Sequence, residues 1–480
     1  MQKTPVQMNE IYSVSVNDLG IHGEGIGKIE GFTIFIYGAL PDEMVTVKIK
    51  KVKKSYAIGS LLSIDKPSSY RVKNQCIPQK TCGACQISHL SYEGQLFFKM
   101  KRVKDVIQRI GKEKEEKIYP IIEAKHPIGY RNKMALPVGM KNGQITVGYY
   151  LTGTQEIIPS INCMIQKEIN NKVALFCQNF LRQHHIMPYD EKTGKGVFRH
   201  IMARIGDNEQ LMIILITHTA ELPHKEEWIK ELKKAFPTFT SLYHNVQNKR
   251  NNVILGETMH LLWGNPTLTA SIGPFTFDIS PHAFFQVNQE QAEKLYNVAL
   301  SYADLQGNET VIDAYCGTGT ISLYLAQKAK HVIGIEIIPA AIENAQKNAE
   351  KNHVKNVEFH AADAADYLSQ AAKKGKSADI IVLDPIRAGC SEKVIDAISE
   401  IKSKKIVYIS CNVSTLARDI ERLTQKGYTL QKVQPVDMFP ETMHVETVAL
   451  LSKLNTEHHL DIEIGEDELS EIDFSKDATY

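Results

Sequence analysis

The sequence lacks any long apolar run. None approaches the roughly 18 residues that cross a membrane, and the amino terminus, MQKTPVQMNE, is polar, without the apolar stretch of a secretory signal. A cytoplasmic protein with no membrane contact is therefore expected. Strong charge of either sign is also missing: 56 basic residues stand against 55 acidic ones, a net +1. That balance hides an asymmetry. Residues 461–480 carry eight acids, from Asp461 to Asp477, against one base, Lys476; without them 55 basic and 47 acidic residues remain, a body at +8. Such a body suits a nucleic-acid partner, and the tail is expected to be a solvated extension. Cysteine is sparse, eight residues in 480, and in the expected reducing compartment these are not disulfides. The full dinucleotide fingerprint G-x-G-x-x-G is absent as well, so the glycines at 317 and 319 do not define a nucleotide site by themselves.

What is present is organised around Val311 to Thr320, VIDAYCGTGT. A short apolar run stops at a glycine turn, a helical pattern follows, and a second apolar run, His331 to Ile335, ends in Glu336. An acid at the end of the second strand of a βαβ unit is placed to bind a ribose hydroxyl pair. Asn344, Asn348, Asp363 and Asp384 continue the rhythm, and Asp313 before the glycines suits a methionine ammonium better than a phosphate. The segment resembles the nucleoside-binding half of a class I S-adenosylmethionine-dependent methyltransferase.

Five stretches precede it. Residues 10–66 alternate short strand-like runs with Gly20, Gly23, Gly25 and Gly27, predicting a small β-barrel, and Lys48, Lys50, Lys51, Lys53 and Lys54 crowd one strand and its exit. Such a run is either a solvated edge or a phosphate-contacting surface; resemblance of residues 23–49 to the TRAM domain of RNA-modifying enzymes favours the second. Cys76, Cys82 and Cys85, with Cys163 downstream, read as metal ligands; spacing alone admits zinc or iron–sulfur, while five residues between the first two cysteines argue against a radical-generating cluster. Residues 92–118 predict a basic helix, with Lys99, Lys101, Arg102, Lys104 and Arg109 among apolar residues at packing spacing. A central α+β domain follows, and then Phe284-Phe285-Gln286 before a helix.

The chemistry gathers beyond Asp384. Asp384-Pro385-Ile386-Arg387 and Ser410-Cys411-Asn412 both end buried strands at the edge where parallel sheets bind ligands, and Glu446 opens the last strand. A cysteine and a carboxylate beside a methyl donor suit one reaction, because C5 of a pyrimidine becomes nucleophilic only after a thiolate adds to C6, and a base must then remove the C5 proton. Cys411 is the candidate nucleophile and Glu446 the candidate base. Amino-group methylation of a base would want an Asp- or Asn-Pro-Pro-aromatic loop where Ile386 and Arg387 stand, and RNA cytosine-C5 enzymes as a family carry a cysteine directly after the Asp-x-Pro loop, where this chain has none. Cys390 reads as a helix-start residue, and Cys177 and Cys316 as packing.

Taken together, these motifs resemble the bacterial 23S ribosomal RNA (uracil-C5)-methyltransferase family over about residues 8–454. The resemblance implies an α/β class I methyltransferase fold behind an OB-like TRAM barrel, with domains at 1–66, 67–268 and 269–456 and the acidic tail at 457–480. It further implies a [4Fe-4S] cluster on Cys76, Cys82, Cys85 and Cys163, and a cofactor and target site at Gln286, Tyr315, Thr320, Glu336, Asp363 and Asp384. Ala84, Tyr315 and Ile386 depart from the commoner pattern. The expected activity is 5-methyluridine formation by a monomer on an unpaired or remodelled stretch of ribosomal RNA. Transfer RNA is the alternative substrate, and a non-catalytic RNA-binding or assembly factor the alternative function.

Overall fold

Alternating buried and exposed side chains create the first unit. In the computed structural model, which describes residues 4–73, 76, 82–151, 154–159 and 162–453, strands β1 (Ile11–Leu19), β2 (Gly25–Ile29), β3 (Phe32–Tyr37), β4 (Met44–Val52) and β5 (Tyr56–Lys66) close a barrel in the order β1-β2-β3-β5-β4. Val14, Val16, Ile34, Ile36, Val45, Val47 and Ile49 fill it. Gly27 allows the strands to close, because a Cβ there would lie 2.3 Å from Val14 Cγ1. The opposite face of β4 and the turn after it leave Lys50, Lys51, Lys53 and Lys54 exposed. The acidic tail at 461–480 lies outside the described residues.

Helix α1 (Tyr92–Arg109) is capped by Ser91, whose hydroxyl accepts the Gly94 amide at 3.2 Å. The central sheet takes β6 (Lys133–Lys141), β7 (Gln144–Tyr150), β8 (Ile157–Pro159), β9 (Phe198–Ile205), β10 (Leu211–Thr217), β11 (Phe239–Val246) and β12 (Thr258–Gly264), ordered β12-β11-β10-β9-β6-β7-β8. Helices α2 (Glu168–Gln183) and α3 (Lys225–Ala235) cover one face through Phe180, Leu181, Trp228 and Leu232. Cys177 packs in that core, fully buried. A hairpin of β13 (Leu268–Ile272) and β14 (Phe275–Ile279) leads into the last sheet.

That sheet alternates strand and helix: α4 (Gln289–Ala303), β15 (Thr310–Asp313), α5 (Thr320–Ala326), β16 (His331–Glu336), α6 (Pro339–Lys351), β17 (Val357–Ala361), α7 (Ala364–Lys373), β18 (Ile380–Leu383), α8 (Glu392–Ile401), β19 (Lys405–Ser410), α9 (Val413–Gln425), β20 (Tyr428–Val436) and β21 (Glu446–Lys453). Strand order is β17-β16-β15-β18-β19-β21-β20, parallel as far as β19, with β21 antiparallel between β19 and β20. The order reverses between β15 and β18, and the crevice at the carboxyl ends there is where such a sheet takes a ligand. Apolar cores lie on both faces, as fully buried strands require.

Helix α1 does not stay with the central sheet. Val103 and Ile107 enter the same core as Leu416 and Ile420 of α9, and the segment after the helix runs along β20, with Tyr119 N–H on Val433 O and Ile122 N–H on Pro435 O, both at 2.9 Å. Among the described residues no helix is long and apolar enough to cross a membrane.

Candidate active site

The turn after β15 is shaped for a ligand. Gly317 has φ +53 and a Cβ there would meet nothing within 4 Å, so its face is open. Gly319, at φ +82, sits where a Cβ would come 3.0 Å from both Ala345 and Phe359, so only glycine lets α5 start this close to the sheet. Asn348, buried on α6, donates to Thr318 O at 3.0 Å and fixes the turn from below. Asp313 is fully buried; Ser322 Oγ donates to one of its oxygens at 2.7 Å, and the other, Oδ1, has no hydrogen-bond partner among the described residues. Burial pushes this carboxyl up to about 6. An orphaned buried acceptor beside an open glycine face suits a cationic, hydrogen-bonding ligand such as the methionine end of S-adenosylmethionine.

The other predicted cofactor positions lie along the same edge. Thr320 starts α5. Glu336 ends β16, and its Oε1 accepts the Ile338 amide at 3.0 Å. Asp363 caps α7 through the Asp366 amide at 3.1 Å. The Tyr315 hydroxyl is hydrogen-bonded to Cys390 and its ionisation is suppressed by burial. Gln286, in the loop before α4, is hydrogen-bonded through its side chain to the Tyr296 hydroxyl, which also faces Asp384 and Glu446.

Cys411 follows β19 and Glu446 opens β21. These strands pair antiparallel with Ser410 opposite Thr447, so Cys411 and Glu446 are the next two residues across the ladder, both at the ligand edge. Ser410 and Asn412 lock the turn: Asn412 N–H donates to Ser410 Oγ at 3.1 Å, Asn412 Nδ2 to Arg387 O at 3.2 Å, and Thr447 Oγ1 to Ser410 O at 3.2 Å. The local field is set by burial and crowding of carboxyls. Burial, with Asp384 alongside, pushes Glu446 up to about 8, and burial with Asp313 nearby pushes Asp384 up to about 7. Burial, then Glu446 and Asp384, push the half-buried Cys411 thiol up to about 11, while Arg387 opposes the rise. A buried carboxyl with proton affinity near neutrality is suited to general-base work.

The segment between β20 and β21, which delivers Glu446, is held by groups from outside the catalytic sheet. Lys99, one of the basic residues read from sequence on α1, is fully buried. Its Nζ lies 2.5 Å from Asp437 Oδ1 and 3.0 Å from Phe439 O. Tyr92 donates to the other Asp437 oxygen at 2.9 Å, and Gln95 accepts the Glu441 amide at 2.8 Å. Gln86 accepts the Met443 amide at 3.3 Å, and Arg102 Nη1 donates to Met443 O at 3.0 Å. The packing expected from the apolar spacing of this helix is met on the side of α9, where Val103 and Ile107 enter the core. Lys101 pairs with Asp18 and Asp105, and Lys104 with Glu115. Arg102, Arg387 and His444, to which the sequence assigns no role, line a pocket at Cys411. Their signal was tertiary, since 342 positions separate Arg102 from His444.

The four predicted metal ligands converge. Cys85 and Cys163 share a buried cluster with Tyr130 and Ile165. The Cys85 thiol is pushed up by burial first and then by Cys163, Glu441, Cys76 and Cys82. Asn171 pins the Cys163 backbone at both N–H (3.0 Å) and C=O (3.1 Å). Among the described residues, however, no three cysteine, histidine or carboxylate side chains stand close enough to hold a metal ion. The structure thus gathers four soft thiol donors without setting three of them at ligand spacing.

A Rossmann-like sheet with a ligand crevice, a small lysine-faced barrel and a cysteine–carboxylate pair define an S-adenosylmethionine-dependent RNA methyltransferase, and the comparisons agree. The family model for tRNA (uracil-5-)-methyltransferases matches residues 265–454, and the TRAM domain model residues 5–62. An uncharacterised RNA methyltransferase of Bacillus cereus is 45% identical over 94% of this chain and 98% of its own length, and one of Clostridium tetani is 44% identical over 93% and 97%. Among solved structures, the Pyrococcus abyssi tRNA (uracil-54, C5)-methyltransferase in complex with S-adenosyl-L-homocysteine superposes with a TM-score of 0.74, at 25% identity, over 92% of this chain and 100% of that one. The chain belongs to the TRAM-containing RNA (uracil-5-)-methyltransferase family.

Proposed function

We propose that this protein forms 5-methyluridine in 23S ribosomal RNA through a transient bond between Cys411 Sγ and C6 of the target uracil. The observation that carries the mechanism is the cross-strand placement of Cys411 and Glu446 at the ligand edge of the sheet. Bound S-adenosylmethionine supplies an electrophilic methyl group, and the residues assigned to the cofactor and target site are Gln286, Tyr315, Thr320, Glu336, Asp363 and Asp384. Cys411 adds as thiolate to C6, and the electron pair moves to make C5 nucleophilic. Once C5 bears both the new methyl group and its original hydrogen, Glu446 removes that proton, the C5–C6 double bond re-forms, and the C6–S bond breaks to release the thiolate. Arg387 favours the ionised form of the thiol throughout.

Exposed Lys50, Lys51, Lys53 and Lys54 on the barrel support an RNA partner. The 23S assignment rests on the motif combination; transfer RNA is the second reading, favoured by the likeness to the Pyrococcus abyssi enzyme. Mapping 5-methyluridine in both RNAs from cells with and without the protein tests this. Loss from 23S ribosomal RNA alone is expected; loss from transfer RNA alone would establish the second reading, and no loss would leave an assembly role.

Cys76, Cys82, Cys85 and Cys163 are the residues we assign to a [4Fe-4S] cluster, with a role in folding because Cys163 ties a distant loop to residues 76–85. Iron and acid-labile sulfide in the anaerobically purified protein, lost together with thermal stability in Cys82→Ser, are the expected results; a stable protein free of iron would refute the assignment.

A further inference from the structure

The pocket beside Cys411 holds two guanidinium groups and no carboxylate. Arg102 reaches it from α1 and Arg387 from the loop after β18, with His444, Asn412 and Val445 completing the wall. The other cations of α1 close to the core are paired: Lys99 with Asp437, Lys101 with Asp18 and Asp105, and Lys104 with Glu115. Among the described residues neither Arg102 nor Arg387 has an ion-pair partner. Arg102 spends Nη1 on Met443 O, and its Nε is buried with no hydrogen-bond partner. Arg387 Nη2 lies 3.4 Å from His444 Nδ1. Burial and the neighbouring cations Arg387, Arg102, Lys99 and His22 press the His444 imidazole down to about 4, so it stands neutral against Arg387. Burial and the charge of Arg387 likewise lower Arg102, while Glu24 of the barrel loop opposes them. Two cations that repel one another inside a half-closed pocket are at their most stable when an anion lies between them.

The chemistry of the target says which anion. In a nucleotide whose base is anti, C6 is the ring carbon that lies over the 5′ side of the sugar, so a sulfur attacking C6 stands beside the 5′-phosphate. We infer that Arg102 and Arg387 clamp the phosphodiester on the 5′ side of the target uridine, and so set C6 against Cys411. Arginine suits this because its planar fork binds phosphate oxygens in pairs. Helix α1, which lies outside the catalytic segment 265–454, then belongs to the active site. The residues act by positioning, and the inference rests on the uridine-methylation reading.

The test uses the full-length protein and two synthetic stem-loops containing the mapped uridine, identical except that one carries a neutral methylphosphonate in place of the 5′-phosphodiester. Wild-type methylation of the natural stem-loop is established first, so that its failure counts against the proposed function and not against the clamp. The neutral linkage is expected to raise KM for the wild type roughly ten- to a hundred-fold, the worth of a charged hydrogen bond, with kcat less affected. Arg102→Ala is expected to show a similar loss on the natural stem-loop and almost none on the neutral one, and to lower the salt slope of binding by about 1; Arg387→Ala, which also removes the cation that favours the Cys411 thiolate, is expected to lower kcat on both stem-loops and to raise KM on the natural one alone. Arg102→Lys, checked for folding by thermal melting, is expected to recover part of the loss. A wild type indifferent to the neutral linkage, or Arg102→Ala losing as much on the neutral stem-loop as on the natural one, would overturn the clamp.

Discussion

Three carboxyls at the ligand edge hold their protons unusually late, Asp313 at about 6, Asp384 at about 7 and Glu446 at about 8. Each consequence has a sign. Turnover needs Cys411 as thiolate and Glu446 as carboxylate, so kcat is expected to climb with pH between about pH 6 and pH 8; a profile falling over that range would contradict the assigned roles. Stability runs the other way. Folded Glu446 binds its proton more tightly than the unfolded chain does, from an ordinary value of 4.5, so its contribution is fully present below about 4.5 and is lost as pH rises through about 8. Glu446→Gln is therefore expected to lose activity yet melt higher than the wild type, with a gap that widens from about pH 5 to pH 8; a gap that stays constant would show the carboxylate to be well solvated, and one that narrows would show the fold to stabilise it. Glu446 opens the antiparallel β21, whereas the position of Cys411 at the ligand edge was readable in the sequence because the ends of parallel strands predict that edge without any side-chain detail. Arg102 was not, because nothing local marks which of five basic residues on one helix points away from its carboxylate neighbours.

At the scale of elements, α1 and the 437–445 segment form one unit through the buried pair Lys99–Asp437. Burial favours the neutral form of Lys99, and Asp437 counters it. Removing one partner strands a charge, so Lys99→Met is expected to cost about 3–5 kcal/mol of stability. Replacing both, as Lys99→Met with Asp437→Leu, is expected to recover much of that, as read by denaturant unfolding. Equal losses from the single and double variants would mean that the pair is not coupled. The helix itself was legible from its apolar spacing. Its partner was not: spacing reveals an inward face, whereas packing against α9 and β20, some 300 residues on, is a property of the assembled chain.

For the whole molecule, the basic body implied by charge bookkeeping includes an exposed run of lysines on the barrel, Lys50, Lys51, Lys53 and Lys54. Changing Lys50, Lys51, Lys53 and Lys54 together to Gln is expected to weaken RNA binding at low salt and to reduce the slope of log K against log salt by roughly 0.7–0.9 for each lost phosphate contact. An unchanged slope would remove the barrel from the RNA interface. The barrel reaches toward the catalytic side through its 20–24 loop, where a Cβ on Gly23 would lie 2.9 Å from Gln86 Cβ, and Gln86 in turn holds Met443, three residues before Glu446. Barrel, cysteine segment and catalytic segment thus meet within a few residues of Glu446.

The central claim is a covalent bond between Cys411 and the target ring, and RNA carrying 5-fluorouridine at the target tests it most directly, because fluorine cannot leave as a proton does and the adduct persists. With methyl donor present, the wild type is expected to form a complex that survives denaturing electrophoresis, and Cys411→Ala to form none and to methylate no ordinary RNA. Absence of the complex from the wild type, or methyl transfer undiminished in Cys411→Ala, would contradict the account.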